Sequence, residues 1–201
     1  VIANAAHQPN IGVVIDNAMT SIEKDNTRLK NVLPKNYARP ELDKIKLGEV
    51  VEIFDNVNMH SQGEDFDILG RIYEYCLNQF AAEAKQKGGE FYTPACIVRT
   101  LVEVLEPYEG RVYDPACGSG GMFVQSAKFI QNHRGDLKKI HIFGQEYNAN
   151  TWKMAQMNLA IRGIDADLGS SWGDSFSDDK HATEKFDFVM ANPPLDRKSV
   201  V

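Results

Sequence analysis

The sequence is short of the features that mark several protein classes. Its 201 residues hold 3 cysteines. Cys76, Cys96 and Cys117 are too few and too widely spaced for a disulfide framework, and no CxxC pair suggests zinc. Reduced thiols of an intracellular protein are the expectation. The 5 histidines are scattered, so no metal site is expected. No apolar run approaches the roughly 20 residues of a membrane span, and no membrane partner is expected. No signal-peptide pattern is present, and the chain opens on Val1, so its native N-terminus is expected upstream. Positive charge is also scarce: 22 Lys and Arg against 28 Asp and Glu give a net charge of -6. Without a basic footprint, any nucleic-acid contact must be local or supplied largely by a partner.

What is present is ordinary for a soluble globular chain: 43% hydrophobic and 25% charged residues. The first 86 residues read as helical and charge-rich. Pro40 can open a helix through Leu42, Ile45, Val50, Val51 and Phe54. A second helix carries Phe66, Leu69, Tyr73, Cys76, Leu77 and Phe80 at three- and four-residue steps, an expected core-facing stripe. Residues 56–64 are polar and read as a loop.

From Lys87 the rhythm changes. A Gly-Gly-Glu-Phe-Tyr-Thr-Pro loop leads into a helix, with Thr93 as expected N-cap and Pro94 at its first position. That helix carries Ile97, Val98, Leu101, Val102 and Leu105 and stops near Pro107. Then follow a strand at 111–113, a helix at 122–132, a strand at 140–144, a helix at 150–161 stopped by Gly163, and a polar stretch to Phe176. A strand at 186–190 completes the pattern. Strands alternating with helices predict an α/β fold with a parallel sheet, whose ligands bind beyond the carboxyl ends of the strands.

Three motifs fall at those ends. Asp114-Pro115-Ala116-Cys117-Gly118-Ser119-Gly120-Gly121 is a strand-to-helix turn along which backbone can approach a ligand closely. Its spacing is not the GxGxxG of a dinucleotide site. Asp114 would repel a pyrophosphate but can pair with an ammonium. Glu146 closes the next strand, where a carboxylate can accept from both hydroxyls of a ribose. Asn192-Pro193-Pro194 follows the last strand as a stiff turn. The lone pair of an adenine exocyclic amine is delocalised into the ring, so it is a poor nucleophile. Acceptors on both of its N–H bonds, the Asn192 side-chain oxygen and the Pro193 carbonyl, favour localising that pair.

In order and spacing, the segment from about Asp65 to Pro194 resembles the modification subunits of type I restriction-modification enzymes, N6-adenine DNA methyltransferases. The motifs carrying the resemblance are GGEFYTP, DPACGSGGMF, GQE and the NPP turn, and the stretch Leu33–Pro40 also looks like that family's N-terminal domain. The resemblance implies a helical N-terminal domain over 1–86 and the first part of a Rossmann-like S-adenosylmethionine-dependent methyltransferase domain over 87–195. By the same resemblance, Phe91, Tyr92, Thr93 and Pro94 line the methionine end of S-adenosylmethionine. Asp114, Gly118 and Gly120 form the cofactor turn, Glu146 contacts the ribose, and Asp174 contacts the adenine amine. Asn192, Pro193 and Pro194 receive a target adenine flipped from double-stranded DNA. The implied partners are a specificity subunit and a second modification subunit, with the restriction subunit a further candidate, in a prokaryotic cytoplasm.

One departure stands out. The family has an aromatic residue after the two prolines to stack on the base, whereas this chain has Leu195. Residues 195–201 back-translate to the start of a common sequencing adapter, so 196–201 are expected to be a non-native tail and the native residue 195 to be Phe. Two alternatives remain open: a protein-glutamine N5 methyltransferase, which also uses an Asn-Pro-Pro-aromatic turn, and an inactive fragment serving as an assembly module.

Overall fold

The computed structural model describes residues 2–56, 68–85 and 93–193. Phe66, Phe91, Tyr92, Pro194, Leu195 and the 196–201 tail lie outside the described residues, as do the Phe80 side chain and the polar stretch 57–64. The chain divides into two compact units, Val1–Leu69 and Gly70–Val201.

Among its described residues the first unit holds helices joined by turns and no strand. Helix α1 (Ile11–Asp25) and helix α2 (Lys44–Asp55) pack around Ala5, Ile11 and Ile15, joined by Met19, Tyr37, Leu47 and Val51. The link between the helices is fastened by side chains. Asp16 accepts from the Tyr37 and Ala38 amides at 3.0 and 3.1 Å, and Lys44 Nζ donates to the Tyr37 and Arg39 carbonyls. The start of α2 corrects the expectation at Pro40. Asp43 is the cap, its Oδ1 accepting from the Ile45 and Lys46 amides. A side chain that satisfies two orphan amides fixes the helix start more firmly than a proline's preset φ.

The second unit begins on helix α3 (Ile68–Lys85). Its stripe is core-facing only in part: Leu77 is buried, but Leu69 is 44% exposed. Tyr73 uses the polar end of its ring, donating its hydroxyl to the Met154 carbonyl at 2.9 Å. Helix α4 (Ala95–Leu105) follows, with Val98 and Val102 buried and Ile97, Leu101 and Leu105 exposed.

Strand β1 (Gly110–Asp114), helix α5 (Gly121–Asn132), strand β2 (Ile140–Gly144), helix α6 (Ala149–Ile161) and the two-residue strands β3 (Ala166–Asp167) and β4 (Phe188–Val189) build the sheet unit. The strands are parallel in the order β3-β2-β1-β4, the expected α/β architecture. β3 was not foreseen, because two residues inside a polar stretch carry no alternation to read. The core lies between sheet and helices, where Val112, Phe123, Ile130, Ala155 and Leu168 are buried almost completely. Each large apolar side chain buried there contributes about 1.5–3 kcal/mol.

This order decides where a ligand can sit. The chain runs outward from β1 through β2 to β3, then returns to the other side of β1 as β4. The crevice beyond the carboxyl ends of β1 and β4 is therefore the topological switch point, the usual ligand site of such sheets. Register makes the ends level: Asp114 pairs with Gly144, and Tyr113 with Val189.

Candidate active site

At the end of β1, Asp114 is 1% exposed. Its Oδ1 accepts from the Ala116 amide at 2.9 Å, and its carbonyl accepts from Gln145 N–H. Burial pushes its carboxyl up to about 7, with the Ala116 amide opposing and the Glu146 carboxylate adding to the rise. Burial, helped by the same two carboxylates, also lifts the Cys117 thiol well above its ordinary range, so it stays protonated and unreactive.

The turn then doubles back. Gly118 and Gly120 have φ of +55° and +81°, the left-handed region that glycine enters without steric cost. A Cβ on Gly118 would meet nothing within 4 Å, so the backbone there faces open space. Asn158, buried on α6, bolts the turn from below by donating Nδ2 to the Ser119 carbonyl at 2.8 Å.

Glu146, two residues beyond β2, closes the other wall. Its Oε2 accepts from Gly118 N–H at 3.0 Å and its Oε1 from Asn148 N–H at 2.8 Å. The Asn148 side chain in turn caps α6 by accepting from the Asn150 and Thr151 amides.

Asp174 lies on the segment after β3. Its Oδ1 accepts from Phe176 N–H at 3.0 Å, and Gly173 N–H, just before it, donates to the Glu146 carbonyl at 2.9 Å. The Ser175 hydroxyl donates to the Pro115 carbonyl, so the Asp174 segment is tied to both walls.

Gln145 was not singled out from sequence. It is fully buried, and its carboxamide makes three hydrogen bonds to the Asp174 segment. Nε2 donates to the Gly173 and Asp178 carbonyls at 3.1 and 2.7 Å, and Oε1 accepts from Lys180 N–H at 3.0 Å. The signal was an uncharged amide in an otherwise apolar strand end, Phe143-Gly144-Gln145, where an exposed polar residue would ordinarily be charged or small.

On the far side of β1, Met190 N–H donates to the Tyr113 carbonyl at 2.9 Å. That bond sets Asn192 and Pro193, both exposed, one step from Asp114. Asn192 Nδ2 donates to the Thr93 hydroxyl at 2.8 Å. This corrects the expected helix start at Thr93: α4 begins at Ala95 behind Pro94, with no side-chain capping bond. The Thr93 hydroxyl serves the Asn192 turn instead, a contact 99 residues apart in sequence that outranks the local one. Pro94 is exposed beside it.

The site thus gathers Asp114, Gly118, Gly120, Glu146 and the Asp174 segment on one side, and Thr93 with Asn192 and Pro193 on the other. The donor set fits S-adenosylmethionine: the buried Asp114 carboxylate could pair with an ammonium, and the Glu146 and Asp174 carboxylates could accept from hydroxyls and an amine. Among the described residues no three His, Cys, Asp or Glu come together to hold a metal ion.

Comparison with known proteins agrees with this geometry. Residues 64–199 match the N-6 DNA Methylase family. The chain is 44% identical over 198 residues to the type I restriction enzyme HindI methylase subunit of Haemophilus influenzae, covering 94% of this chain and 44% of that protein. It is 38% identical to the MjaIX methylase subunit of Methanocaldococcus jannaschii, covering 93% of this chain and 33% of the relative. The chain therefore spans less than half the length of these curated relatives. Its fold matches the methyltransferase subunit of a type I restriction-modification system from Streptococcus thermophilus, with a TM-score of 0.76 at 24% identity, over 96% of this chain and 43% of that one.

Proposed function

Since the chain belongs to the N-6 DNA methylase family, we propose that it is the cofactor- and target-binding segment of a subunit that methylates N6 of adenine in DNA. Its methyl donor in this reading is S-adenosylmethionine. The observation that carries the reading is the pairing of an acid-lined glycine turn with an Asn-Pro turn across the β1/β4 switch point, joined by the bond from Met190 to Tyr113.

When bound, S-adenosylmethionine supplies an electrophilic methyl group on a sulfonium. Asp114 holds the ammonium of the methionine part, drawing its own carboxyl back toward the ionised form. Glu146 accepts from the ribose hydroxyls and Asp174 from the adenine amine, while the loop around Thr93 and Pro94 covers the methionine end. Asn192 Oδ1 and the Pro193 carbonyl accept the two N–H bonds of a flipped adenine, localising the amine lone pair toward the methyl. Pro193 and Pro194 keep those acceptors rigid. The accepting nitrogen would gain a carbon as the methyl–sulfur bond breaks with its electron pair going to sulfur, and would shed a proton to water after transfer, so no strong base is needed.

The type I restriction enzyme methylase names of the relatives support DNA as substrate; in this reading a specificity subunit reads the sequence and a second modification subunit joins the complex. The chain's acidic balance fits a protein whose DNA grip is shared. The test is transfer of labelled methyl by the full-length protein with its DNA-reading partner. N6-methyladenine in DNA is the expected product, and label on protein glutamine with none on DNA would overturn the reading.

A further inference from the structure

We propose that Arg162 is a positioning residue for the cofactor, acting through the Asn158 carboxamide on the glycine turn after β1. This rests on the proposed function and deepens it, since it concerns how the turn given there to S-adenosylmethionine takes its shape.

The turn has little of its own to hold it. Ser119 stands between Gly118 and Gly120, both in the left-handed region, and glycine moves between backbone regions at low cost. Support comes from α6, which lies behind the turn. A Cβ on Gly120 would touch the Leu159 and Ala155 side chains at 3.6 and 3.7 Å, and both residues are buried. Asn158, also buried, donates Nδ2 to the Ser119 carbonyl at 2.8 Å. With its amide turned over, the Asn158 oxygen would face that carbonyl, acceptor against acceptor.

Two one-way partners decide which end of the amide meets the turn. A backbone carbonyl can only accept, and a guanidinium can only donate. Asn158 Oδ1 accepts from the Arg162 guanidinium, one turn further along α6, which leaves the NH2 for Ser119. The guanidinium is set in its turn from α3. With 6% of its side chain exposed, Arg162 donates Nη2 to the Gly70 carbonyl at 2.6 Å and to the Glu74 carboxylate at 3.2 Å. A charge buried to this degree requires such partners, and a guanidinium stays charged at any ordinary pH. Directed hydrogen bonds thus run from α3 through Arg162 and Asn158 to the tip of the turn.

The experiment reads the calorimetric affinity of the full-length protein for S-adenosylhomocysteine at pH 8, beside its cofactor-free unfolding midpoint. Asn158→Asp keeps the size of the side chain and pairs with Arg162, but offers Ser119 no hydrogen. Affinity should fall about tenfold, the worth of one buried hydrogen bond whose partner is left unsatisfied. The midpoint should stay near wild type, because the new ion pair offsets the lost bond. Asn158→Leu should lose as much affinity and more stability, since it also takes an acceptor from the guanidinium. Arg162→Met, which frees the amide to turn over, should cost about threefold alone. In the Asn158→Leu background it should cost less than about twofold more, because the relay is already cut. A role for Arg162 in stability alone would lower affinity again in that double variant. Wild-type affinity in Asn158→Asp or in Arg162→Met overturns the inference, as do additive losses in the double variant. If the Leu variants fail to fold, Asn158→Asp and Arg162→Met decide it. If the wild-type protein does not bind S-adenosylhomocysteine, it is the underlying function that fails.

Discussion

The two sides of the site are built to different standards. Beyond β1 and β2, Asp114, Gln145 and Glu146 are between 0 and 8% exposed, and each is held by two or more hydrogen bonds to backbone. Beyond β4, Asn192 is exposed and its side chain is fixed by one bond, to Thr93. The first side is a receptor finished before its ligand arrives, which cuts the ordering cost of binding a small, flexible cofactor. In the proposed reading the second admits a base from a much larger partner, and its polar atoms lie at the surface.

The sharpest test of that contrast is Asn192→Ala. It removes an acceptor used by the reacting amine alone, so methyl transfer should fall about 100- to 1,000-fold, by analogy with loss of one preorganised catalytic hydrogen-bonding group. Calorimetric affinity for S-adenosylmethionine should stay near wild type, and a parallel loss would join the two sides that the structure separates.

Next in size is Gln145→Leu, which strips three partners from the partly exposed Asp174 segment. A loss of about 3 kcal/mol in unfolding free energy is expected, several unpaired backbone groups being left behind. Chemical denaturation measures it, and faster amide exchange over 173–180 should accompany it. A stable variant would mean the segment is held from elsewhere.

Asp114→Asn comes third, expected to weaken cofactor affinity at pH 8 about tenfold or more by removing a charge-assisted contact. It also tests a pH dependence. The Asp114 carboxyl rises from an ordinary 3.8 to about 7 in the cofactor-free fold. Only the ionised form pairs with an ammonium, so affinity should drop by up to about tenfold per unit below pH 7 and level off above it. The same raised value means that the folded chain keeps a proton which the unfolded chain releases. Cofactor-free stability from this group should then be greatest at low pH and decline as pH rises from about 4 to about 7. Asp114→Asn should flatten both profiles.

Smallest is Gly118→Ala. With no atom within 4 Å of the new methyl, the cost is that of a left-handed φ alone, about 1–2 kcal/mol. A larger loss in thermal unfolding would reveal a crowding that the geometry lacks.

Much of the cofactor side was legible in sequence, because its signals are local. β2 runs over the residues its apolar run marked out. The glycine turn was visible as Gly118, Gly120 and Gly121 behind an acid, and Gly163 stops α6 as expected, with φ of +64°. What escaped depends on distant parts of the chain. Nothing near Gln145 says that its amide will meet residues 173–180. Thr93 reads locally as a helix cap, and only the return of β4 turns its hydroxyl elsewhere. Asp43 was passed over for Pro40, although a carboxylate ahead of Ile45 and Lys46 was the stronger cap.

The pairing of Val112 with Phe188 has a consequence in time. At a synthesis rate of about 5–20 residues per second, the residues separating these strands take roughly 4–15 s to appear. During that interval β1, β2 and their helices have emerged, so the acid-lined glycine turn exists while the Asn192 turn does not. On the ribosome, the wall proposed for the small molecule is therefore made before the one proposed for the large one.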